Sequence, residues 1–196
     1  MVCKNPKKPK SKLWGPISGP SDFENLYPAE MMQLGVLTAY WSYVEHTLCE
    51  LLAQLLGSHA KAEAAFYSTV NHKARRDMVL ALLKSEDIPD HLTPFTEKAI
   101  EATKVAADAR NKLLHGLFYL DKSTHEIVSV QTRPNTKTPK FTQKKILNNI
   151  KSAIEKCGDA AGMLTAASIA ASYSTREEFL DAFPDLVDKE TYEAEE

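Results

Sequence analysis

Residues 31–56 read MMQLGVLTAYWSYVEHTLCELLAQLL, and the spacing of their apolar side chains decides the fold class. Leu37, Tyr40, Trp41, Val44, Leu48, Leu51, Leu52 and Leu55 recur at three- and four-residue steps, so on a helix they form one broad stripe, and Gly57 ends it. A stripe this wide predicts a helix buried between neighbours. Gln33, Glu45, His46, Glu50 and Gln54 interrupt the run, and their polarity argues against a membrane span.

Before this helix, residues 13–28 hold Pro16, Pro20 and Pro28 and read as an irregular lead-in. After it, Ser58 can cap a short helix running to about Val70, and Asn71 another from His72 to Lys84, with Met78, Ala81 and Leu82 facing inward. Thr93 followed by Pro94 is a helix start, and the helix it opens should reach about His115. At Gly116 the period switches to alternation. Residues 117–121 and 126–132 flank Lys122, Ser123, Thr124 and His125, which predicts a small β-hairpin. From Thr142 to about Ser172, Ile146, Ile150, Ile154, Cys157, Ala161, Leu164 and Ile169 restore the helical period, in a long helix expected to pack on the first. A short helix is expected around Glu177 to Phe183. The reading is therefore all-α: a bundle of about five helices over residues 29–172 with a small β-hairpin insertion.

Composition agrees, since 43% hydrophobic residues are enough to drive a core and exclude a wholly disordered chain. The net charge of −2 over 196 residues conceals an uneven layout. Residues 1–12 carry five lysines and no acid, while residues 176–196 carry nine carboxylates against Arg176 and Lys189. Residues 1–28 are therefore read as a basic, irregular extension and 173–196 as an acidic tail. No apolar run of secretory length follows the basic start, and the three cysteines, Cys3, Cys49 and Cys157, form no Cys-x-x-Cys pair. A cytoplasmic protein without metal or cofactor is expected. His46 and Cys49 stand three apart but lack further ligands at a recognisable spacing.

Chemistry concentrates at the end of the fourth helix, Asp108-Ala109-Arg110-Asn111-Lys112-Leu113-Leu114-His115-Gly116. Asn111 and His115 are four apart and share a face, with Arg110 at its edge. At a helix end the free carbonyls favour a protonated imidazole, which suits His115 to proton transfer. The same residues also suit a structural role, with Arg110 paired to Asp108 or Glu45, Asn111 bonded to nearby backbone and His115 closing the helix.

An arginine, a polar residue directly after it, and a histidine after four intervening positions, at a helix end and before Gly, resemble the signature of the HEPN superfamily. The long first helix with Trp41 and Glu45, the Phe66-Tyr67-Ser68 and Ala74-Arg75-Arg76-Asp77-Met78 runs, and a long helix after the motif resemble its members over residues 30–172. The resemblance implies a helical bundle that dimerises so that two motifs face one cleft, and in active members a metal-independent endoribonuclease of toxin–antitoxin or antiviral-defence systems. Arg110, Asn111 and His115 then become the catalytic candidates, with Glu45, bordering the apolar stripe, as a supporting residue that holds Arg110 or His115. Members without catalysis serve as modules that bind nucleic acid, a nucleotide or a partner protein, and this is the alternative.

Between Ile127 and Ile154 stand six basic residues and no acid. Of these, Arg133, Lys137, Lys140, Lys144 and Lys145 are candidates to line an RNA path, although a solvated basic face explains the run as well. The partners this reading implies are RNA, a second copy of the chain, and an antitoxin or defence-system protein, with no membrane.

Overall fold

The structure, a computed structural model, describes residues 14–16, 27–84, 92–114, 117–121, 126–131, 140–143, 146–173 and 175–182, the strands through their backbone pairing. The elements in chain order are β1 (Trp14–Pro16), α1 (Pro28–Leu56), α2 (His59–Ser68), α3 (His72–Leu82), α4 (Leu92–Leu114), β2 (Leu117–Asp121), β3 (Glu126–Gln131), β4 (Lys140–Gln143), α5 (Ile146–Ala170) and α6 (Arg176–Ala182). The chain is predominantly helical, as its periodicity requires. The basic stretch before residue 14 and the acidic residues 183–196 lie outside the described residues.

Helix boundaries follow local chemistry. Gly57 ends α1 in the left-handed region, with φ of 60°. The Ser58 side chain accepts from the Lys61 amide at 3.4 Å, and Asn71 Oδ1 accepts from the Ala74 amide at 2.8 Å, each satisfying a donor that the first turn leaves orphaned. Thr175 and Glu178 form a reciprocal capping box on α6, each backbone amide donating to the other's side chain. Gly57→Ala should cost roughly 1 to 2 kcal/mol in urea denaturation, the penalty of a Cβ at positive φ. An added Cβ meets nothing within 4 Å, so that loss reports backbone strain alone, and an unchanged midpoint would contradict it.

Two compact units make up the described chain, one drawn from Met1–Leu37 and Ala109–Ala153, the other from Thr38–Asp108 and Ile154–Glu196. The first holds the sheet, whose strand order is β1-β2-β3-β4 with every neighbouring pair antiparallel. Leu117 stands opposite Val130 and Asp121 opposite Glu126, and the β3–β4 register shifts at Ser129/Val130. Two expectations change here. Residues 14–16, read as irregular, pair with β2, and residues 142 and 143, read as the start of the last long helix, belong to β4. Strands of three and four residues are too short to show an alternating period. The helical ends in this unit bury Leu37, Leu113, Ile146 and Ile150.

In the second unit the core comes mainly from α1, with Val44, Leu48, Leu51 and Leu52 fully buried, and from α5, with Cys157, Ala160 and Leu164. The two helices pack closely where α5 has no side chain, since a Cβ on Gly158 would lie 3.6 Å from the Tyr40 ring. At the other end Leu55, Leu92, Phe95, Ile169, Ala170 and Tyr173 form a single apolar cluster. The buried apolar residues here are Val79 on α3 and Leu83 just past its end, whereas Ala81, expected inside, is exposed.

Candidate functional site

The last turn of α4 carries the motif. Leu113 is buried and fixes the turn, which leaves Asn111 and Lys112 exposed and Arg110 partly buried. Arg110 Nη1 donates to Asn111 Oδ1 at 2.9 Å. That bond assigns the amide: its oxygen faces the guanidinium, and its NH2 group, with two donors, is left for other acceptors. The pair is thus a cluster of hydrogen-bond donors built from adjacent residues. The end of a helix carries negative partial charge, so an anion held there depends on the side-chain cations Arg110 and Lys112. His115 lies outside the described residues, as do Arg133, Lys137, Lys144 and Lys145, while Lys140 opens β4.

Glu45 has other partners than those expected of it. Its Oε2 lies 2.9 Å from Arg75 Nη1 and its Oε1 3.4 Å from His72 Nδ1, so both carboxylate oxygens are engaged by α3. His115, one of the two residues it was expected to support, lies outside the described residues. The Glu45 carboxyl is held below its usual range by the His72 ring and by Arg75, which together outweigh the upward push of burial. Arg75 is both the closer and the permanently charged partner, and we take it as the stronger one.

Arg75 does more than pair. Its Nε donates to the Phe66 and Thr69 carbonyls, each at 3.2 Å, and its guanidinium sits 4.4 Å from the centre of the Phe66 ring. It satisfies carbonyls at the C-terminal end of α2 and ties that end to α1 through Glu45. His72 is wedged edge-on against Trp41, ring centres 4.6 Å apart. Apolar periodicity alone leaves Arg75 and Arg76 on the surface of α3, because it weighs only apolar residues. His72, Arg76, Val79 and Leu83 recur at steps of four, three and four, the spacing of one helical face, and half of that face is polar.

No protein-family model, curated protein or solved structure matches this chain.

The remaining features of the second unit are modest. An open cleft of about 250 Å³ runs between α1 and α5, lined by Tyr43, His46, Thr47, Glu50, Thr165, Ser168 and Ile169. Two of its hydroxyls already donate to their own helices, Thr47 to Tyr43 and Val44, and Thr165 to Ala161. Cys49 and Cys157 are buried free thiols, and burial pushes the Cys49 thiol up, with Glu50 and Glu63 adding to it. His46 is exposed and Cys49 buried, so the two do not converge on one ligand. Among the described residues no group of three or more His, Cys, Asp or Glu side chains is placed to hold a metal, and no helix is long and apolar enough to cross a membrane.

Proposed function

We propose that this chain is a metal-independent endoribonuclease of the HEPN toxin or defence type, a helical bundle working as a homodimer whose two copies of Arg110, Asn111 and His115 share one RNA phosphate. The observation that carries the reading is the Arg110–Asn111 bond, because it turns the amide donors and a guanidinium to the same task of gripping phosphoryl oxygens. RNA cleavage without metal needs a base for the 2′-hydroxyl, an acid for the leaving 5′-oxygen, and donors for the charged phosphorane. One motif supplies a single imidazole. In a two-fold dimer, His115 of one copy takes the O2′ proton as the O2′–P bond forms, and His115 of the other protonates O5′ as the P–O5′ bond breaks. The products are a 2′,3′-cyclic phosphate and a 5′-hydroxyl. Arg133, Lys137, Lys140, Lys144 and Lys145 attract the RNA backbone, which makes binding weaken steeply with salt.

The test incubates the full chain with RNA oligonucleotides in excess EDTA and identifies the ends. Cyclic-phosphate termini and a dimer mass at micromolar concentration are expected. Cleavage that stops when metal is removed, or a monomer that cuts at full rate, would overturn the proposal.

A further inference from the structure

On α3 two buried side-chain nitrogens, His72 Nε2 and Arg76 Nε, have no hydrogen-bond partner among the described residues, while His72 Nδ1 faces the Glu45 carboxylate. His72 and Arg76 are four residues apart, so they stand one above the other on the helix face that continues into the buried Val79 and Leu83. Leaving a buried donor unsatisfied costs on the order of 1 to 3 kcal/mol, and more for a charged group. A protein that keeps such a cost on adjacent turns of one helix invites a functional explanation.

The charge around this face is unbalanced. Arg75 is matched by Glu45, and Lys73 is matched by Asp77 at 2.6 Å on the exposed side. Arg76 has no ion pair among the described residues, so the face carries one uncompensated positive charge. Its guanidinium offers donors only, and the His72 ring offers a donor or an acceptor according to its tautomer. A planar cation with a neighbouring imidazole matches a tetrahedral oxyanion, to which arginine can present two parallel N–H groups. Glu45 lies beside His72 and opposes an anion there, which places the Arg76 end of the pair as the main contact.

We infer that Arg76, assisted by His72, forms an oxyanion-binding site on α3 for a phosphate group, free or carried by a nucleotide or RNA. This does not rest on the ribonuclease reading, because it concerns different residues and requires no catalysis.

The experiment measures binding to the full chain by calorimetry at constant ionic strength, with inorganic phosphate, adenosine 5′-monophosphate and a short RNA as separate probes. Saturable binding of at least one probe is expected, weakened at least tenfold in Arg76→Met and in Arg76→Lys, which keeps the charge but loses the forked donors. Lys104→Met, which removes an exposed cation of α4 that pairs with Glu101, should leave phosphate and monophosphate binding unchanged, and this separates the site from general surface charge. Inorganic phosphate binding as tightly as the monophosphate identifies free phosphate as the ligand, whereas a tenfold preference for the monophosphate or RNA identifies a nucleic-acid source. Arg76→Met should also melt at a higher temperature than the wild type without ligand, since it removes a cation whose buried Nε is unsatisfied. Absence of binding by all three probes, or binding unaltered in both Arg76 variants whose circular dichroism is unchanged, would overturn the inference.

Discussion

His115→Ala should lower RNA cleavage in EDTA by at least about a hundredfold, the lower end of what a positioned acid or base contributes, while leaving the denaturation midpoint unchanged. The composite site makes a second, sharper demand. A heterodimer of wild-type and His115→Ala subunits holds one imidazole where the reaction uses two, so adding excess variant to wild type should depress activity well below simple dilution once subunits exchange. If activity instead tracked the amount of wild-type chain, each subunit would be catalytically independent and the shared-phosphate arrangement would be wrong. Asn111→Asp should resemble His115→Ala more than a neutral change does, because a carboxylate in place of the amide repels the phosphate that Arg110 attracts. Asn111→Ala, which only removes donors, should lose less.

The sequence and the structure agree best where apolar residues recur at helical spacing. Leu37, Val44, Leu48, Leu51 and Leu52 of α1 are all buried as their steps predict, and the caps at Ser58 and Asn71 open the two short helices that follow. Agreement weakens where a buried face is built from polar groups. On α3 the inward residues include His72 and Arg75, each with side chains only 13% exposed, and a search for apolar periodicity put Ala81 inside instead. Strands β1 and β4 escaped for a different reason: their stability comes from pairing with distant segments, which local spacing does not encode. At the motif, adjacency in sequence was enough to place Arg110 beside Asn111, but not to say which atom of the amide faced the guanidinium. Glu45 illustrates the limit most plainly. Its position bordering the stripe was legible, yet its partners lie 27 and 30 positions further along the chain, and only the packing of α3 on α1 selects them.

That ion pair sets the second large effect. Arg75→Met should destabilise the chain at pH 7 by about 2 to 4 kcal/mol, below the usual 3 to 5 for stripping one partner from a fully buried pair, because the Glu45 side chain remains 28% exposed. The loss has separable parts: the carboxylate is left without its cation, the Phe66 and Thr69 carbonyls lose their donor, and the contact with the Phe66 ring disappears. Arg75→Lys should rescue little, since an ammonium cannot hold the carboxylate and the two carbonyls with one planar group. A double-mutant cycle with Glu45→Gln should give a coupling of about 1 to 3 kcal/mol, and a value near zero would mean that Arg75 acts on α2 alone. The pH dependence gives an independent check with a fixed sign. Glu45 titrates lower in the folded chain than in the unfolded one, so its contribution is complete above the unfolded value, about 4.3 for a free glutamate, and is lost as pH falls through the folded one. The stability gap between wild type and Glu45→Gln should therefore be widest near neutrality and close in acid. A gap that stayed constant across that range would show that the ionised carboxylate is not what holds α1 to α3.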